Sequence, residues 1–226
     1  MNDNPYVLCL IAYLCGSIPF GLLIGKAKGV DVRTVGSGNI GATNIGRIFG
    51  RKFFFLCFAL DFAKGLLPVL AAGHVLGALG KWDVEPRISL IWLATVLAAV
   101  VGHIFSPWLK FKGGKGVATS LGALVGVFPV LSIAAGGAFV LFIITLKVGG
   151  YMSLASIMGA CALPVAVACT MLARGVRLSE PGTWPFLALA FVLALLVTFK
   201  HRANIARIRA GTEPKFGART QSPPNP

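Results

Sequence analysis

Carboxylates are scarce in this sequence: 7 Asp and Glu stand against 21 Lys and Arg, and the formal net charge is +14. Divalent cations are held by hard oxygen ligands, which such a chain can hardly assemble, so no metal and no cofactor are expected. Paired cysteines are missing as well. Cys9, Cys15, Cys57, Cys161 and Cys169 never stand as C-x-x-C and all fall inside apolar runs, which excludes a zinc knuckle and argues against disulfides. No basic segment carries interleaved aromatics, so the excess of cations does not describe a nucleic-acid platform. The first residues carry no positive charge, and the apolar run from Pro5 to Ile24 has no small-x-small cleavage site. It reads as a retained span and not as a signal peptide.

What is present is apolar length. Hydrophobic residues make up 56% of the 226 positions and the mean hydropathy is +0.82, above the roughly 45 to 50% apolar share of soluble domains. The expected fold is an all-α, multi-pass integral membrane protein, one transmembrane domain over 1–216 followed by a disordered tail over 217–226. Crossing about 30 Å of hydrocarbon takes roughly 20 helical residues. Spans are predicted at Pro5 to Gly25, with Gly16, Pro19 and Gly21 as kink positions, then at Phe53 to Leu76 and Ile88 to Trp108. Two more follow at Tyr151 to Ala173 and Trp184 to Phe199. The run from Val117 to Leu146 is too long for one span, and Gly126, Phe128 and Pro129 interrupt it. Read as two short passes or as one re-entrant hairpin, it returns the chain to the side it left. The cation-rich loops, Lys26 to Lys52, Lys110 to Lys115, Lys147 and Lys200 to Arg219, then share one face with only Asp31 and Glu213 as acids. The positive-inside rule makes that face cytoplasmic. The expectation is seven helices, the fourth and fifth short, with the N-terminus outside and the C-terminus in the cytoplasm.

Three polar stretches lie on that face. The first is GSGNIGATNIGR, Gly36 to Arg47, with Arg51 just beyond. Its glycines Gly36, Gly38 and Gly41 permit close backbone approach, Ser37, Asn39, Thr43 and Asn44 offer hydrogen bonds, and Arg47 matches a phosphate bidentately. The same glycines satisfy the dinucleotide pattern G-x-G-x-x-G, with Asp61 about 20 residues on. That reading requires a parallel sheet, which nothing else in the chain can form. The second stretch, KFKGGKGVAT, is not a Walker A loop. Lys112, Gly113, Gly114, Lys115, Gly116 and Thr119 can nonetheless hold phosphate through backbone N–H groups at a helix start and a lysine charge, a basic turn beside the membrane being the other reading. The third is HRANIARIRAG, where His201 and Asn204 occupy the middle of the apolar side of a short helix; a basic amphipathic helix on anionic headgroups is the other reading. Ser153, at the inner end of the sixth span, is a further candidate. Asp61 and Lys64 share a helical face inside the second span, either as an ion pair or with a role in a site. His103, near the inner end of the third span, is either a helix-end cap or a ligand.

The chain resembles the bacterial acyl-phosphate:glycerol-3-phosphate acyltransferases of the inner membrane. The likeness covers residues 5–216 and rests on GSIPFG, GSGNIGATNIGR, DFAKG, GHIFSPWLKFKGGKGVAT and HRANIARIRAGTE. It implies transfer of a fatty acyl group from acyl phosphate to the 1-hydroxyl of glycerol 3-phosphate, giving lysophosphatidic acid and phosphate for phospholipid synthesis, at the cytoplasmic face. It implies these two substrates and membrane lipids as partners, with no nucleic acid and no metal. By motif position, Ser37, Arg47 and Lys115 grip phosphate, His201 and Asn204 orient the acceptor, and Gly113, Gly114 and Gly116 give backbone donors. The H-x-x-x-x-D pair of soluble-type acyltransferases is absent, because Leu79, Trp108 and Ala206 stand five residues after His74, His103 and His201. The hydroxyl proton then goes to His201 or to a substrate phosphate. A transporter or channel for phosphate-bearing anions is the alternative, opposed by the clustering of charge at one face.

Overall fold

The computed structural model describes residues 5–180 and 182–218, and among them every regular element is helical. Ten α-helices follow one another there, with one short 3-10 turn at Pro107–Leu109 between the fifth and sixth: α1 (Pro5–Ser17), α2 (Phe20–Ala27), α3 (Ala42–Phe49), α4 (Arg51–Val75), α5 (Pro86–Ile104), α6 (Val117–Gly126), α7 (Val130–Gly149), α8 (Met152–Ala173), α9 (Trp184–Lys200) and α10 (Arg202–Arg209). Among the described residues five stretches are long and apolar enough to cross a membrane, with α1 and α2 together forming one of them, Tyr6–Ala27; α9 with α10, bent by 57°, makes up to six. The predicted spans therefore sit where apolar length placed them, within a few residues.

Two details differ from expectation. The fifth apolar helix is not short: α7 runs for 20 residues, because the break at Gly126 to Pro129 falls early and the helix continues through Lys147, whose long side chain can carry its charge outward. α6 has only 10 residues, about 15 Å of rise, or half a bilayer core. The first span is broken, not merely kinked. Pro19 cannot donate to the helical ladder, and the Ile18 carbonyl beside it accepts from Lys64 Nζ at 2.6 Å. Of the expected tail over 217–226, residues 219–226 lie outside the described part.

Glycines let the bundle close. A Cβ at Gly65 of α4 would stand 2.2 Å from the Thr119 carbonyl oxygen, and one at Gly122 of α6 would stand 2.0 Å from that of Phe62. Such small-residue contacts bring helix backbones together where lipid gives no hydrophobic drive. α6 thus lies along the second half of α4, and Gly80 N–H donates to the Phe128 carbonyl at 3.0 Å, where both helices end. Arg174 covers the Trp82 ring at that same end, 4.5 Å from its centroid. The core runs along Val69, Trp92, Val96, Leu131, Val167 and Leu193. A smaller cluster of Leu22, Val32, Ile40, Ile45, Cys57 and Leu109 anchors the glycine-rich loop to the opposite end of the bundle.

Candidate functional site

α6 begins at Val117 and Ala118, beside a hollow in the bundle. A cavity of ≈ 390 Å³ opens there, within the usual range of about 300 to 1,000 Å³ for small-molecule sites. Its walls bring together Ser37, Asn39, Thr43, Asn44 and Arg47, then Lys115 to Ala118, Met152, Ser153 and Ser156, and His201, Asn204 and Glu213. Four helices begin at this cavity. Ala42 and Thr43 open α3, Val117 and Ala118 open α6, Met152 and Ser153 open α8, and Asn204 is in the first turn of α10. A first helical turn leaves backbone N–H groups without intrahelical partners and carries the positive end of the helix dipole. The arrangement suits anions.

Arg47 and Lys115 meet Glu213 at the polar end of the cavity. Arg47 donates from Nη2 to the Pro214 carbonyl at 3.2 Å, while its Nε is buried without a partner. Lys115 Nζ donates to Asn204 Oδ1. Asn204 Nδ2 and Ser153 Oγ each donate to Glu213 Oε1 at 2.7 Å, and Arg207 Nε donates to Glu213 Oε2 at 2.7 Å. Burial and the charges of Arg207, Arg47 and Lys200 lower the Lys115 pKa to about 8, against the pull of Glu213. Burial pushes the Glu213 carboxyl up, but the three hydrogen bonds outweigh it and hold the group below its ordinary value. Burial and the Lys115 charge bring His201 down to about 4, so its ring is neutral near pH 7. Its Nδ1 lies 2.8 Å from the Val197 carbonyl. A carbonyl only accepts, so Nδ1 bears the proton and Nε2 is left as an acceptor.

The other half of the cavity is apolar, lined by Phe54, Phe58, Phe139, Phe142, Ile143 and Leu146. A recess of ≈ 90 Å³ continues from it among Ala135, Ala138, Gly159, Leu163 and Leu193, sharing Phe58, Phe139 and Phe142. The site is therefore amphiphilic, with a cationic head and a greasy channel. On its floor Asp61 and Lys64 form an ion pair at 2.8 Å, and His103 Nδ1 lies 3.2 Å from Thr119 Oγ1. Among the described residues no three His, Cys, Asp or Glu side chains gather as a metal set.

The expected residues divide. Ser37, Asn39, Gly41, Thr43, Asn44, Arg47, Lys115, Gly116, Ser153, His201 and Asn204 line the cavity, whereas Gly36, Gly38, Arg51, Lys112, Gly113, Gly114 and Thr119 do not. Gly113 and Gly114 are not free donors: their N–H groups bond the carbonyls of Ile104 (3.0 Å) and His103 (3.2 Å). They are glycines because the loop lies against α5, where a Cβ at Gly114 would stand 2.2 Å from His103 Nε2. Gly36 and Gly38 adopt positive φ in the turn before α3. Arg51 lies over the Phe55 ring, 5.7 Å from its centroid, and Lys112 is exposed. Asn44 staples the loop, accepting from Ser37 N–H at 2.9 Å and donating to Val32 and Val35 carbonyls at 3.2 and 3.1 Å. Asn39 Oδ1 accepts from Gly41 N–H at 2.8 Å. Sequence reasoning missed Glu213 as a site group, although an acid flanked by Arg207, Arg209 and Lys215 was its signal. It also missed the phenylalanine wall, whose rings are indistinguishable in sequence from lipid-facing ones.

The glycerol-3-phosphate acyltransferase family model matches residues 6–211. The glycerol-3-phosphate acyltransferase of Geotalea daltonii is 45% identical over 93% of this chain and 96% of its own. Two crystal structures of PlsY, an integral membrane glycerol 3-phosphate acyltransferase, are similar throughout. Its glycerol 3-phosphate form has a TM-score of 0.79 at 37% identity, covering 95% of this chain and 96% of that one. Its lysophosphatidic acid form has a TM-score of 0.77 at 36% identity, covering 96% and 97%.

Proposed function

Because the chain belongs to the glycerol-3-phosphate acyltransferase family, we propose that it transfers a fatty acyl group from acyl phosphate to the 1-hydroxyl of glycerol 3-phosphate, for phospholipid synthesis. The observation that carries this reading is the joining of four helix starts, Arg47 and Lys115 to one apolar-walled cavity. An acyl phosphate has the same shape of chemistry, a phosphate head on a hydrocarbon tail.

In this reading Arg47, Ser37 and the first turns of α3 and α6 hold the donor phosphate, with the tail along Phe58, Phe139 and Phe142. Lys115, His201, Asn204 and Ser153 receive glycerol 3-phosphate. The 1-oxygen attacks the acyl carbon, a C–O bond forms, and the bond from that carbon to the phosphate oxygen breaks. Phosphate leaves without needing a metal, because a mixed anhydride is already activated. Fixed cations and backbone donors stabilise the charge that builds on the carbonyl oxygen. The hydroxyl proton passes to a phosphate oxygen. His201, with a pKa of about 4, is a weak base and serves through Nε2 as an acceptor that aligns the hydroxyl.

The site faces the cytoplasm of the bacterial inner membrane. Seven passes are proposed, with α6 as a half-length fourth. In support, Phe128 meets Gly80 at one end, while Phe216 N–H bonds the Gly150 carbonyl at the other. The loops at that second end carry the cations, as cytoplasmic loops do.

The test is phosphate release by the purified protein from palmitoyl phosphate, with and without glycerol 3-phosphate, and mass-spectrometric detection of lysophosphatidic acid. Release that depends on both substrates is expected. No dependence on glycerol 3-phosphate, or equal turnover with palmitoyl coenzyme A, would overturn the assignment or its donor respectively.

A further inference from the structure

The cavity contains a carboxylate that an anion site should avoid. Glu213 has a side chain only 3% exposed, and it faces the same space as Arg47 and Lys115. Its backbone is held in place on both sides: Thr212 N–H bonds the Arg207 carbonyl at 2.8 Å, the Pro214 carbonyl accepts from Arg47, and Phe216 N–H bonds Gly150. The carboxylate does not contact Lys115 directly in the hydrogen-bond pattern. Between them stands the Asn204 amide, whose two ends are chemically distinct: the nitrogen only donates and the oxygen only accepts.

A carboxylate can only accept, so the amide nitrogen must turn to Glu213, at 2.7 Å. The amide oxygen is then directed at Lys115. Were the amide reversed, its NH2 would confront an ammonium, donor against donor. We propose that Glu213 is a positioning residue: it fixes the Asn204 amide, and through it sets the place and the charge of the Lys115 ammonium that receives substrate phosphate. Arg207, 2.7 Å from Oε2, and Ser153 complete the hold on the carboxylate, so that it orients Asn204 without being free to pair with Lys115 itself. The groups facing Lys115 are Glu213, Arg207, Arg47 and Lys200, with His201 beside it; Glu213 is the one that favours its charged form.

The inference rests on the phosphate-binding part of the proposed function, and its test is separable from turnover. Glycerol 3-phosphate binding is measured by calorimetry on the purified full chain between pH 6 and 9.5, with acyl transfer assayed alongside. Glu213→Gln removes the charge and makes one carboxamide end a donor, which opposes either Arg207 or Asn204. We expect binding weakened about tenfold and its alkaline fall-off moved down by about one pH unit, the size of a single close charge interaction. Glu213→Asp keeps the charge but withdraws it by one methylene; it should leave the fall-off in place and weaken binding about tenfold by misplacement. A carboxylate that merely repels substrate predicts the opposite sign, tighter binding by Glu213→Gln, and that result overturns the proposal. So does wild-type affinity in Glu213→Asp, which decides the matter alone if the Gln variant does not fold. A wild type that binds glycerol 3-phosphate yet transfers no acyl group defeats the acyl-transfer reading and leaves this comparison to be scored on affinity.

Discussion

Lys115 is a cation set among cations, and that makes its protonation the most sensitive property of the site. Its pKa of about 8 means that the charged form, which binds a phosphate dianion, prevails below that pH and is lost above it. The kcat/KM for acyl transfer reports free-enzyme ionisations; it should fall as pH rises through about 8, and Lys115→Ala should remove that limb with most of the activity. Arg47→Ala should cost about 10² to 10³-fold in kcat, the range for losing one donor to a developing anion, while the protein still inserts and purifies. Near-normal turnover in either variant would take that residue out of the site. His201 makes a different prediction. With a pKa of about 4 it does not titrate between pH 5 and 7, so His201→Gln should lower the rate without changing the shape of the profile there. A limb present in wild type and absent from the variant would make His201 the base. Residue chemistry together with the resemblance singled out Arg47, Lys115, His201 and Asn204, and the fold brings all four to one cavity. Residue chemistry could not separate the glycines. Gly113 and Gly114 mark tight places, and only the fold says that His103 fills that place instead of a phosphate.

Helices α4 and α6 show where one-dimensional reading stops. The bounds of α4, α8 and α9 follow from apolar length, since about 20 residues must cover the hydrocarbon. The Gly65 and Gly122 contacts between α4 and α6 leave no periodic signal, because what matters is the partner backbone 2.0 to 2.2 Å from each absent Cβ. Gly122→Val should therefore push α6 off Phe62, destabilise the protein by on the order of 1 to 3 kcal/mol as overpacking does, and displace Lys115 and Val117 with it. The expected readout is a lower Tm in detergent together with reduced acyl transfer. Gly136 of α7 is the control, for nothing lies within 4 Å of where its Cβ would be. Gly136→Ala should match or slightly exceed wild-type Tm, as Ala is favoured over Gly in a helix by roughly 0.5 to 1 kcal/mol. Equal Tm for wild type and Gly122→Val would mean that this close approach contributes nothing to the bundle.

Across the whole molecule, charge and shape point the same way. The cavity's polar half lies at the end that gathers Lys26, Arg47, Lys112, Lys200 and Arg209, while the opposite end mixes Lys81, Arg87 and Arg174 with Asp83, Glu85 and Glu180. The net charge of +14 is read directly from the sequence, whereas its division between the two faces needs a correct count of passes. Whether the passes number seven turns on α6, which is half a bilayer long and which neither length nor hydropathy decides. The two possible answers differ in one testable respect. If α6 and α7 together leave and return, Lys112 and Arg209 face the same compartment; if only one of them crosses, they face opposite ones. Single cysteines at Lys112, Arg209, Lys81 and Arg177, placed in a background lacking the five native cysteines, can be labelled with a membrane-impermeant maleimide in oriented vesicles. Labelling of Lys112→Cys and Arg209→Cys only from the cytoplasmic side, and of Lys81→Cys and Arg177→Cys only from the other, is the expected pattern. Opposite accessibility of Lys112→Cys and Arg209→Cys would separate the loop that carries Lys115 from the helix that carries Asn204. Two groups joined by a hydrogen bond cannot open to different compartments, so that outcome would dismantle the shared phosphate site, and with it the acyl transfer assigned to it.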